Sequence, residues 1–108
     1  MKNFIRRIRV LLFRVLFQNS SELVMPGKVL IVAPHPDDEV LGCSGLIQRL
    51  LNEGKQVDVA ILSGGGKSHA GCCKIDESTL IESRRNLSRK AAEILGLSLE
   101  HLHFLDYP

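Results

Sequence analysis

Apolar positions along the chain cluster at differing intervals, and each interval predicts an element. In residues 1–17 (MKNFIRRIRVLLFRVLF), Phe4, Ile5, Ile8, Leu11, Leu12, Val15 and Leu16 recur at helical spacing, with Arg6, Arg7, Arg9 and Arg14 around the rest. Val29-Leu30-Ile31-Val32 is an unbroken β-branched-rich run, the composition of a strand buried on both faces. Helical spacing returns from Val40 to Glu53 through Leu41, Ile47, Leu50 and Leu51, and Gly54 supplies a stop. Gln56–Ser63 (QVDVAILS) alternates and then becomes continuously apolar, a second strand. A further helix is predicted over Ser78–Leu95, closed by Gly96, with Leu80, Ile81, Leu87, Ala91, Ala92, Ile94 and Leu95 near one face. His101–Leu105 completes the series as a third strand. The polar stretch Gly64–Asp76 is long for a connector, as working loops tend to be.

Strand–helix alternation implies right-handed crossovers and a parallel sheet: an α/β, Rossmann-like half of three strands with flanking helices, preceded by an amphipathic helix. The expected division is a basic helix and linker over 1–25, including Ser20-Ser21-Glu22 and Met25-Pro26-Gly27, and an α/β domain over 26–108. A three-stranded half leaves helix faces and a sheet edge uncovered, and Asp106-Tyr107-Pro108 lies at the mouth of a strand. On that ground the chain reads as the amino-terminal portion of something longer.

Composition adds two points. The 108 residues suffice for one domain, with ordinary hydrophobic (44%) and charged (24%) content. Net charge is +2, yet residues 1–25 carry +4 and the remainder −2. A basic patch confined to one tail argues against a nucleic-acid-binding domain. Cys43, Cys72 and Cys73 form no paired framework, which implies reduced thiols and a cytoplasmic setting. The tail is too short to span a bilayer, Arg14 interrupts it, and Gln18-Asn19-Ser20-Ser21 is a poor cleavage site for a signal peptide. Two partners stay open for residues 1–17: an anionic membrane surface, which would make the protein peripheral there, or another protein segment.

Candidate chemistry concentrates after the first strand. Pro34 and Pro36 end it, and His35, Asp37, Asp38 and Glu39 fill the elbow before the next helix, at the carboxyl edge where open sheets hold their sites. An imidazole and a carboxylate three residues apart on a tight turn can converge on one zinc ion. The plainer alternative is a cap and turn with Asp37 or Asp38 as N-cap. Glu39 opens the helix, in a structural or ligand-supporting part.

Ala33-Pro34-His35-Pro36-Asp37-Asp38-Glu39 resembles the signature of the LmbE/PIG-L family of zinc-dependent N-deacetylases, which act on N-acetylglucosamine-type sugars. Ile61-Leu62-Ser63-Gly64-Gly65, Arg84 with Ala91 and Leu95-Gly96, and His103-Phe104-Leu105-Asp106 resemble its following elements, so the likeness runs from about Lys28 to the end. The resemblance implies zinc as cofactor, His35 and Asp38 as ligands, Asp37 as general base, and an N-acetylated sugar or glycoconjugate as substrate. It also implies that Arg84 faces the substrate pocket, although Leu87 stands where the family often has an acid. Asp106, at the end of the third strand, sits where a sugar-hydroxyl contact or a simple turn would serve. The family's third ligand is a downstream histidine beyond this chain, so the 108 residues alone are expected not to be a competent deacetylase. The rival expectations are a non-catalytic remnant serving as an interaction module and a membrane-surface adaptor. His69 is the best internal substitute ligand; of His101 and His103, one is expected to face a helix and the other solvent. Gly64–Ser68 lacks the first glycine of a phosphate loop, its position being Ile61, and His69, Cys72 and Cys73 fit no standard metal spacing.

Overall fold

A computed structural model describes residues 2–18, 24–69 and 74–108. Helix α1 (Lys2–Leu16) comes first, followed by strand β1 (Lys28–Ala33), helix α2 (Asp38–Asn52) and strand β2 (Gln56–Ser63). A short 3₁₀ helix (Gly66–His69) then precedes helix α3 (Glu77–Leu95), and a second one (Leu99–His101) precedes strand β3 (Leu102–Tyr107). The three strands form one sheet, parallel as the alternation implies, in the order β1-β2-β3. Ser20-Ser21-Glu22, Cys72, Cys73 and the side chain of His69 lie outside the described residues.

Register decides the core. Val29 pairs with Val57, Ile31 with Val59 and Ala33 with Ile61, while Val59 and Ile61 pair onward with Leu102 and Phe104. These residues share one face of the sheet, since side chains alternate along a strand. Ile47 and Leu50 of α2 and Ala92 of α3 join them in one cluster. Ile47, Leu50, Val57, Val59 and Ile61 are fully enclosed, each contributing about 1.5–3 kcal/mol of burial.

The opposite face departs from expectation. Leu30 and Val32 are exposed, so among the described residues β1 is covered on one face and not both. The physical reason is that α2 and α3 contribute to the same cluster, leaving the alternate side chains bare. Leu41, Leu87 and Ile94 are exposed too. The inward line of α3 runs through Ser88 and Ala92, one turn apart, and Leu87 and Ile94 fall off it by about a quarter turn or more. Helix α3 is capped before its first residue by Asp76, whose carboxylate accepts from the Thr79 amide, and after its last by Gly96 in the left-handed conformation (φ 82°).

Of the histidine expectations, the solvent-facing one holds for His103, which is exposed, and the helix-facing one changes for His101. His101 Nδ1 lies 2.9 Å and His103 Nε2 3.1 Å from the same Asp58 oxygen, so both are joined to one carboxylate on β2. Hydrogen bonds from His103 and then His101 lower the pKa of Asp58 to about 2. This group sits near the amino end of β2, away from the elbow.

Candidate active site

The elbow between β1 and α2 is fastened at both ends. Pro34 carbonyl oxygen accepts from the Ser63 amide (3.1 Å) and hydroxyl (3.1 Å), tying the turn to the end of β2. Asp37 occupies the N-cap position with φ 93° and ψ −28°, a backbone region that non-glycine residues seldom enter. Its carbonyl accepts from Val40 and Leu41, but its carboxyl makes no cap hydrogen bond. Glu39 does that work. One of its oxygens accepts from the Asp37 amide at 2.9 Å, and the other accepts from the Ser88 hydroxyl at 2.8 Å. Glu39 and Ser88 are 4% and 2% exposed, so a buried carboxyl clamps the elbow onto α3.

His35 and Asp38 come together on the solvent side. The His35 amide donates to Asp38 Oδ2 at 3.1 Å, and His35 Nδ1 lies 3.5 Å from the same oxygen. Two donors on a tetrahedral zinc at about 2.1 Å each would stand roughly 3.4 Å apart, so this pair has the chemistry and separation of neighbouring zinc ligands. Among the described residues, no third histidine, cysteine or acid completes a metal cluster with them.

An open cleft of about 730 Å³ borders the pair, lined among others by His35, Asp37, Asp38, Lys67, Arg84 and Asp106. Arg84 reaches it from α3, with Nη1 3.4 Å from the Gly65 carbonyl oxygen. Gly65 has φ +67°, and a Cβ there would stand 2.5 Å from Arg84 Nη1, so the arginine lies flush against glycine backbone. Asp106 lines the rim, but its carboxylate is already paired with Arg85. Arg85 and Arg89 both sit over the Phe104 ring, each 5.4 Å from its centroid, and so fix this corner of β3. Asp106 has φ 55°, next to an irregularity in the β2–β3 pairing.

The structure brings His35, Asp37, Asp38, Arg84 and Asp106 to one cleft; of the residues that hold them, sequence reasoning assigns Glu39 a supporting part and misses Ser88 and Ser63. Ser88 carried a usable signal: a serine in the middle of a helix, one turn before a buried alanine, needs a partner inside. Ser63, at the carboxyl end of β2, carried the same kind of signal by position.

Residues 30–108 match the profile of the PIG-L family, described as GlcNAc-PI de-N-acetylase. The chain belongs to this family. Over 105 residues it is 30% identical to diacetylchitobiose deacetylase of Thermococcus kodakarensis, covering 97% of this chain and 38% of that protein. Among solved structures it is similar to N,N'-diacetylchitobiose deacetylase of Pyrococcus horikoshii, with a TM-score of 0.69 and 26% identity, over 94% of this chain and 38% of that one. It is also similar to GalB, the 4-carboxy-2-hydroxymuconate hydratase of Pseudomonas putida, with a TM-score of 0.65 and 28% identity, over 75% and 34% of the two chains. The chain therefore spans under two fifths of the length of these relatives.

Proposed function

We propose that the elbow is the metal-binding and base-bearing part of an N-deacetylase centre acting on an N-acetylated amino sugar. The observation that carries this reading is the His35–Asp38 pair at ligand separation beside an Asp37 carboxyl left out of helix capping. Family membership and the diacetylchitobiose deacetylases support the substrate class. His35 and Asp38 would hold zinc, whose chemistry when bound is to acidify water and polarise an amide carbonyl. Asp37 takes the proton of the attacking water as its oxygen bonds to the acetyl carbon. The C–N bond then breaks, and that proton goes to the departing amine, leaving acetate. Arg84 and Lys67 present cationic donors to sugar hydroxyls along the cleft wall.

Two protein ligands hold zinc weakly, and a catalytic site takes three. The isolated 108-residue chain is therefore expected to bind zinc at low affinity and to release no acetate from diacetylchitobiose above background. Titration calorimetry with zinc tests the site: His35→Ala and Asp38→Ala should each weaken binding at least about ten-fold, as loss of a ligand or its support does. Zinc binding unchanged in both variants would refute the assignment.

The likeness to GalB favours one second reading, addition of water to an unsaturated carboxylate at the same elbow. Both reactions need an activated water, so the substrate decides. Hydration of 4-carboxy-2-hydroxymuconate, lost in Asp37→Asn and unaccompanied by amide cleavage, would replace the first reading with the second.

A further inference from the structure

Helix α1 contributes no residue to the core, and its large apolar side chains, among them Phe4 (68% exposed), Leu11 (64%) and Leu16 (68%), stand open. At 100° per residue, the apolar positions from Phe4 to Leu16 on its main stripe occupy an arc of roughly 140° that no charged residue enters. Arg7 and Arg9 border that arc on its two sides, and Arg6 and Arg14 lie behind it. Val10, Phe13 and Phe17 fall on the arginine side and are exposed as well, the two phenyl rings in contact with centroids 4.3 Å apart. Helix α1 contains no acidic residue.

We infer that α1 is an interfacial anchor that lies in the surface of an anionic lipid bilayer. Its fifteen residues give about 22 Å of helix, short of the roughly 30 Å hydrocarbon core, and no described helix is long and apolar enough to cross a membrane. Lying flat, the stripe enters the acyl boundary, while arginines on both borders extend along it to reach headgroup phosphates. Charge selects this occupant. A helix bearing Lys2, Arg6, Arg7, Arg9 and Arg14 without one acid complements a dense anionic surface, and the α/β domain offers no matching excess, since residues 26–108 carry only −2. The anchor would hold the cleft beside the bilayer, and the inference stands whether or not that cleft is a deacetylase centre.

Flotation of the full 108-residue chain with vesicles tests it, using phosphatidylcholine alone and phosphatidylcholine mixed with phosphatidylglycerol. Binding is expected to the anionic vesicles, to be weak to the neutral ones, and to decline as salt is raised. Arg7→Gln and Arg9→Gln should each lower the partition coefficient about five-fold. A double change, Ile8→Glu with Leu12→Glu, should abolish flotation while leaving the melting temperature of the domain unchanged, because neither residue touches its core. Absence of flotation, or equal binding to both vesicles that the arginine changes leave intact, would overturn the inference. So would a vesicle-free oligomer that Ile8→Glu with Leu12→Glu dissolves, since the stripe would then serve a second copy of the chain.

Discussion

Replacing Ser88 by alanine removes one oxygen from the centre of the molecule and leaves one Glu39 oxygen buried without its donor. Both residues are almost wholly enclosed, so water cannot take the hydroxyl's place. A hydrogen bond of this kind is worth about 1.5–3 kcal/mol, and the alanine fills nearly the same volume, so no cavity adds to the loss. A cost of about 2 kcal/mol lowers the melting temperature of a domain of this size by roughly 8–16 °C. Glu39→Ala should cost more, about 3–4 kcal/mol, because it strips the partner from both the Ser88 hydroxyl and the Asp37 amide and leaves a void. Thermal and urea denaturation followed by circular dichroism measure both. In the double mutant the two losses should fall short of additivity by about 1 kcal/mol or more. A Ser88→Ala protein melting within about 2 °C of the parent, or a strictly additive cycle, would refute the clamp. A second readout concerns the site: if the clamp sets the Asp37 backbone, either change should weaken zinc binding about 10–100-fold without touching a ligand. Loss of stability with unchanged zinc affinity would leave the clamp purely structural.

Other expectations are simpler. Asp37→Gly relieves a φ of 93° and should stabilise the fold by about 1 kcal/mol, raising the melting temperature by roughly 4–8 °C; a lower melting temperature would mean that the conformation is not strained. Gly65→Ala should destabilise by about 1–2 kcal/mol and push Arg84 off the Gly65 carbonyl, visible as a shift of the Arg84 side-chain NMR signals; unchanged signals would argue against the close approach. Asp58→Asn tests the paired histidines. Because the folded pKa of Asp58 is lowered from 3.8 to about 2, its stabilisation is complete above the higher value and is lost as pH falls through the lower. The melting-temperature gap between parent and Asp58→Asn should therefore hold steady from neutral pH to about 4 and close towards pH 2; a gap that widens on acidification would reverse the argument.

The order of elements was legible because period-2 and period-3.6 patterns are local; the register that pairs Ile31 with Val59 was not, because it is set between strands. What the pattern could not supply was who covers whom. Leu30, Val32, Leu87 and Ile94 are as apolar as Ile47 and Leu50, and only the placement of both helices against one face separates exposed from buried. The Asp58 group needed pairing across 43 and 45 residues of chain, a separation at which no local rule operates. At the elbow the limit was different. Glu39 in a first helical turn reads identically as a dipole partner and as a buried clamp, because both need an acid at that position.

Backbone strain is where stability and function pull apart. Among the described residues, two non-glycine residues have positive φ, Asp37 and Asp106, and both stand at the carboxyl ends of strands on the same cleft. Aspartate tolerates such conformations better than most residues, so its presence alone announces nothing. A fold selected only for stability would place glycine at both. At Asp106 the pairing with Arg85 accounts for the carboxyl, whereas keeping one at Asp37, with a buried glutamate holding its backbone, makes sense where that side chain has work to do facing the cleft. The opposite signs expected for Asp37→Gly and Ser88→Ala separate these cases: the first should gain stability by removing a side chain held in a strained backbone, and the second should lose it by releasing the support of that backbone.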